Sequence, residues 1–137
     1  METGLERFVK AQETAYPAAL AEIKRGKKQG HWMWYIFPQL SGLGHSETAR
    51  YYAIRDRQEA EAYMHHPLLG VRLVQISTEL LFLDETDPLR IFGYTDSLKL
   101  CSCMTLFYEV SHNFIFKRVL DKFFGGEADS LTLNMLK

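Results

Sequence analysis

The chain lacks most of the residues that would announce a cofactor or a compartment. It has two cysteines in 137 residues, Cys101 and Cys103. No C-x₂-C, H-x₃-H or H-E-x₂-H spacing occurs, so no metal site is expected. On a helix the two thiols point about 200° apart, too badly aimed to bridge each other. Reduced thiols in a cytoplasmic protein are the simplest reading. No apolar run approaches the roughly 20 residues that cross a bilayer, so no membrane partner is expected. Met1 to Arg7 is polar and acidic, the opposite of a secretory signal. Neither sign of charge is in excess: the formal net charge of −1 gives no pull toward nucleic acid or an anionic surface.

What is present is an ordinary globular balance, 47% hydrophobic and 24% charged, which argues against disorder. The length suits one domain with one core, spanning 1–137, and no repeat or low-complexity tract divides it. Apolar residues recur at helical spacing almost throughout. Leu5, Phe8 and Val9 start one helix, and Leu20 and Ile23 belong to a second. Tyr16-Pro17 is expected to break or kink the pattern between them. Gly26 and its flanking lysines close that helix. Ser46 is a fitting N-cap, and Asp56 with Glu59 resembles a capping box. Pro67 opens a helix with Leu69, Leu73, Ile76 and Leu80 on one face, and Asp87-Pro88 starts a short turn ended by Gly93. Thr95 or Asp96 is expected to cap the next helix. Phe114 to Phe124 follows, stopped by Gly125-Gly126, and a last short helix begins after Asp129. The prediction is an all-α fold of about six to eight short-to-medium helices. Little or no sheet is expected, since only 32–37 has a strand-like alternation.

One segment stands apart. From Gln29 to Ser46 there is no Asp, Glu, Lys or Arg, yet both tryptophans, Trp32 and Trp34, lie there beside His31, Gln39, His45 and Ser46. Apolar bulk with a few uncharged hydrogen-bonding groups is the usual lining of a small-molecule pocket. Phe37-Pro38 ends any helix here, and the glycine-containing loop through Gly42 and Gly44 runs into the helix capped by Ser46. Such a loop presents backbone N–H groups and a positive dipole end that suit an anion. The plain alternative is that the tryptophans are core anchors and the glycines merely permit the turn.

Other candidates are weaker. His31, with a side chain that titrates near neutrality, is the candidate acid or base. His65-His66 read as a helix-entry loop. Lys99, Ser102 and Cys103 share a helix face, but the order does not match S-x-x-K. Asp96 pairing with Lys99, and Ser102 bonding back to its helix, explain that face without chemistry. The basic run Lys24 to Lys28 is accounted for by its position at a helix end, so no nucleic-acid partner is expected.

The block His31-Trp32-Met33-Trp34-Tyr35-Ile36-Phe37-Pro38-Gln39, followed by Gly42-Leu43-Gly44-His45-Ser46, resembles the signature of a bacterial and fungal family known as domain of unknown function 1810. Further matching blocks are Phe8 to Gln12, His66 to Gly70, Leu98 to Leu100 with Ser102, Met104, Thr105 and Leu106, and Phe123 to Gly126. The resemblance covers essentially the whole chain. It implies a compact, mainly helical domain and no established activity. The label "calpastatin" carried by some bacterial members would mean a disordered protease inhibitor, which this aromatic-rich composition contradicts.

The expectation is therefore a cytoplasmic helical protein with a pocket for a ring-bearing polar ligand, nucleotide-like or ADP-ribose-like, and no cofactor. Trp32 or Trp34 would stack on the ring and Gln39 would read a polar edge. The Gly44, His45 and Ser46 turn would hold an anion, Lys99 with Ser102 beside it would supply charge, and His31 would serve a metal-free hydrolysis. The alternative is a non-enzymatic module that binds a partner chain, or a second copy, through the same aromatics.

Overall fold

In the computed structural model, which describes residues 4–137, the chain is all-α; Met1–Thr3, the start of the acidic N-terminal stretch, lie outside the described residues. Among the described residues there are eight helices: α1 (Glu6–Lys24), α2 (Met33–Ile36), α3 (Glu47–Tyr51), α4 (Arg57–His65), α5 (Leu69–Phe82), α6 (Pro88–Ser111), α7 (Phe114–Phe124) and α8 (Ser130–Leu136). Gly93 leaves helical geometry inside α6 (φ 80°, ψ 172°), so α6 is two helical segments joined at a kink. Residues 32–37 hold a single helical turn and no strand. The nearest approach to sheet is an isolated parallel bridge between Leu40 and Ile54.

The caps explain most boundaries. Ser46 Oγ accepts from Ala49 N–H, Asp56 from Glu59 N–H and Asp129 from Thr132 N–H. His66 Nδ1 takes the N–H groups of Leu68 and Leu69 at 3.1 and 3.2 Å, so this helix-entry histidine starts α5. Two expectations need correcting. α1 runs unbroken through Pro17. An interior proline costs about 3 kcal/mol, but the buried row Phe8, Gln12, Tyr16, Ala19 and Ile23 gains more by keeping one continuous face. Asp96 does not cap the second half of α6; its carboxylate reaches Lys28 and Lys99 instead.

The apolar faces meet in one buried cluster. Phe8 meets Tyr63 edge-on at 5.2 Å, Tyr63 meets Phe107 at 5.2 Å and Phe107 meets Phe116 at 6.2 Å. This string of rings ties α1, α4, α6 and α7 together, each pair adding to the area it buries. Lys122 on α7 donates to the carbonyls of Leu80, Leu81 and Leu83 and so closes the end of α5. Arg7 reaches the carbonyls of Tyr51 and Ala53 and the buried Glu59 carboxylate, fastening α1 to the α3–α4 connection. Among the described residues, every buried side-chain N or O has a partner. The interior therefore leaves no polar group that calls for a ligand.

Two contacts fix how the aromatic segment enters this core. Glu22, buried on α1, accepts on Oε1 the N–H groups of Gln29 (2.6 Å) and Gly30 (2.8 Å) and the indole N–H of Trp32 (2.9 Å). Burial alone would raise its pKa, but these donors, with Arg25 nearby, outweigh it and hold the carboxyl below its ordinary value. The second contact is close packing at the α4–α5 corner. A Cβ on Gly70 would lie 2.1 Å from the Met64 carbonyl oxygen, so only glycine lets the two helix ends touch.

Glu22→Gln should lower stability by roughly 1.5–3 kcal/mol at neutral pH, read as an earlier urea midpoint. Because the folded pKa is depressed, this contribution is present above the unfolded pKa and is lost as pH falls through the folded one. The gap between wild type and variant should begin to narrow as pH falls below about 4, the ordinary glutamate range, and close further down, as pH passes through the depressed folded value; a gap unchanged at about pH 3 would mean the bonds do not depend on the charge. Gly70→Ala should cost about 1–3 kcal/mol or more, since a backbone oxygen must move. An unchanged melting temperature would show that the corner is looser than its geometry.

Candidate functional site

The segment after α2 builds one wall of a cleft. Phe37-Pro38 ends the helical turn, and the chain is then pinned by two backbone bonds, Ile54 N–H to Gln39 O (2.9 Å) and Ser41 N–H to Ile54 O (2.7 Å). The loop from Gly42 to Ser46 bulges out between these anchors. Gly44 lies so close to α3 that a Cβ would be 2.6 Å from the Ala49 Cβ. Gly42 has φ +100°, and a Cβ there would meet Met135 of α8 at 2.6 Å. Gly42 is thus required by the left-handed turn and Gly44 by its close approach to α3.

α6 supplies the facing wall. Thr95, Leu98, Lys99 and Ser102 fall at helical spacing on one face, and the start of α8 adds Asp129 and Leu131. Together with Trp34, Gln39, Leu43, Gly44, His45, Ser46 and Ala49 they enclose about 550 Å³, a volume within the range of small-molecule sites. The lining mixes leucines with a tryptophan, a carboxamide, hydroxyls, one lysine and one aspartate.

Of the nine residues singled out from the sequence, the structure brings seven to this cleft: Trp34, Gln39, Gly44, His45, Ser46, Lys99 and Ser102. Trp32 and His31 do not join them. Trp32 is 3% exposed and its indole N–H is spent on Glu22, so it has no face to offer a ligand. Residues two apart on a helical turn point about 200° apart; one tryptophan faces the core and the other the cleft. His31 is exposed and outside the cleft lining, which leaves its acid–base role without support. The Gly44–Ser46 turn does line the cleft. However, α3 has only five residues, so its dipole is slight, and the Ser46 hydroxyl already caps Ala49.

The charged groups form a chain. Lys28 Nζ lies 2.8 Å from Asp96 Oδ2 and 5.1 Å from the Trp32 ring centroid. Lys99 Nζ lies 3.5 Å from Asp96 Oδ1 and 4.9 Å from the Trp34 centroid. The two tryptophans therefore each carry a lysine, and the lysines share one carboxylate. Both distances suit cation–π attraction. Lys28, read from the sequence as a helix-end cation, is in fact nearly buried, with 8% side-chain exposure.

Sequence reasoning missed Asp129 as part of the site. It was visible only as the N-cap of the last helix. Its Oδ2 accepts from Ser102 Oγ (3.2 Å), Thr132 N–H (3.2 Å) and Thr132 Oγ1 (2.5 Å), and its N–H donates to Thr105 Oγ1 (2.8 Å). Only the packing of α8 on α6 brings it to Ser102. The cysteines lie outside the lining: both are free thiols, and burial pushes Cys101 up to about 11 and Cys103 well above its usual value, which disfavours the nucleophilic thiolate. Among the described residues no group of three or more His, Cys, Asp or Glu is placed to hold a metal ion. No helix among them is long and apolar enough to cross a membrane.

No curated protein matches the chain. Among solved structures it is similar to the conserved hypothetical protein Rv1873 from Mycobacterium tuberculosis, with 44% identity and a TM-score of 0.94 over 96% of this chain and 95% of that one. The fold is thus one seen in a second protein. A family model described as "Protein of unknown function (DUF1810)" matches residues 2–136, and the chain belongs to that family.

Proposed function

We propose that the cleft binds a small, ring-bearing polar ligand of nucleotide or ADP-ribose type. The observation that carries this reading is the pairing of Trp34 with Lys99 at 4.9 Å in a cleft of about 550 Å³. An indole gives a ring a stacking surface, and a cation beside it suits an anionic substituent. Leu43 and Leu98 supply apolar contact. Gln39, with both donor and acceptor on its carboxamide, suits the polar edge of a heterocycle. The catalytic form of the reading is hydrolysis without a metal. With His31 outside the cleft, proton transfer there would fall to His45 or Asp129. The competing idea, a partner-binding face made by the aromatic segment, has less to support it: Trp32, Met33, Ile36 and Phe37 are each 3% exposed or less.

Thermal-shift and tryptophan-emission titrations with AMP, ADP and ADP-ribose test the proposal. At least one should raise the melting temperature and change the emission. Trp34→Ala should weaken that ligand by roughly fivefold to a hundredfold, the range for loss of one stacked base. No stabilisation by any of the three, with emission unchanged, would sink it.

A further inference from the structure

The cleft holds two formal charges of opposite sign, Lys99 and Asp129, and no ion pair joins them. Each has its own partners. Lys99 shares Asp96 with Lys28, and Lys28 makes the closer contact, 2.8 Å against 3.5 Å. One carboxylate between two ammonium groups leaves one positive charge over, and Lys99, the looser partner, carries it at the cleft. Asp129 is fixed differently. Thr132 donates to its Oδ2 through both N–H and hydroxyl, and the Ser102 hydroxyl, whose one proton is shared between this oxygen and the Leu98 carbonyl (3.2 Å to each), adds to them, while Oδ1 takes none. The carboxylate is therefore locked in orientation with one oxygen left to accept. Ser102, which touches Asp129, stands one helical turn beyond Lys99 on the same face of α6, where side chains lie about 5–6 Å apart at Cβ.

We infer that the cleft selects a dipolar ligand, with an anionic group received by Lys99 and a hydroxyl or ammonium donor received by Asp129 Oδ1. This inference rests on the cleft being a ligand site and sharpens what that ligand must carry. A bare base would meet only Trp34 and Gln39. A nucleoside would add the donor, and a nucleoside monophosphate would satisfy both poles. Holding two charged groups apart and pre-oriented favours such a ligand because neither pole has to be reorganised on binding.

Four probes separate the parts: adenosine, AMP, 2′,3′-dideoxy-AMP and O-phosphoethanolamine, the last a ringless molecule with both poles. Each is titrated into wild type, Lys99→Met and Asp129→Asn by calorimetry. Asn retains an N-cap for α8, and Met keeps an unbranched stem near Trp34; melting temperatures confirm that both variants fold. AMP should bind wild type about tenfold or more tighter than either adenosine or the dideoxy form, the scale of one charge-assisted hydrogen bond. Lys99→Met should abolish the preference for AMP over adenosine. Asp129→Asn should abolish the preference for AMP over its dideoxy form, and neither variant should affect the other's preference. Equal binding of adenosine, AMP and dideoxy-AMP overturns the dipolar reading and leaves the ring reading standing. Binding of O-phosphoethanolamine that is sensitive to both variants, without binding of any of the three adenine probes, does the reverse. If none of the four binds, both fall.

Discussion

The carboxylate of Glu22 collects three donors on a single oxygen, from Gln29, Gly30 and the Trp32 indole. These three residues span the exit from α1 and the entry to the aromatic segment. Fixing them decides which tryptophan goes inward. Trp32 is drawn into the core, because its N–H finds a buried acceptor there. The single turn α2 then carries Trp34 round to the opposite side, where α6 passes. Lys28 reinforces the arrangement from the same loop, since it lies over Trp32 while its ammonium reaches Asp96 on α6. Without this junction, neither wall of the cleft would have a fixed partner.

The same junction explains why a charge-free segment lies beside four charged groups. Between Gln29 and Ser46 no acidic or basic side chain is present, so the neutral wall contributes rings, a carboxamide and hydroxyls. The charges come from elsewhere: Asp96 and Lys99 from α6, Lys28 from the loop after α1 and Asp129 from the start of α8. Pairing of largely buried lysines with a shared carboxylate contributes modestly to stability, since much of the Coulomb gain is offset by desolvation. Its larger effect is to hold positive charge at a defined place beside Trp34.

Much of this was legible in the sequence because it rests on local rules. The all-α class, the caps at Ser46, Asp56 and Asp129, and the stops at Gly93 and Gly125 follow from periodicity and terminal chemistry. Seven residues of the cleft could be nominated because the uncharged, aromatic composition of 29–46 is itself unusual, and because Lys99 and Ser102 share a helix face. The failures are tertiary. Pro17 reads as a break, and only the buried face on both sides of it keeps α1 whole. Trp32 and Trp34 look equivalent until Glu22, ten residues before the first, is seen to claim one of them. Asp129 is a cap in one dimension and a wall of the cleft in three, and no sequence pattern ties it to Ser102.

The C-terminal helix has a further meaning for the cleft. α8 is only seven residues long, too short to be stable alone. It is held by Thr132, which is fully buried, by the Asp129 contacts to Ser102 and Thr105, and by Met135 against Gly42. Two of these anchors are also at the cleft: Asp129 lines it, and Gly42 begins the loop that does. A molecule bound between the walls touches groups from three separate stretches of chain and favours only the state in which all three are assembled. By mass action it must therefore stabilise the docking of α8 together with the fold. The cleft and the attachment of the last helix are one structural element, which is why a carboxylate serving as a helix cap can also be the cleft's fixed acceptor.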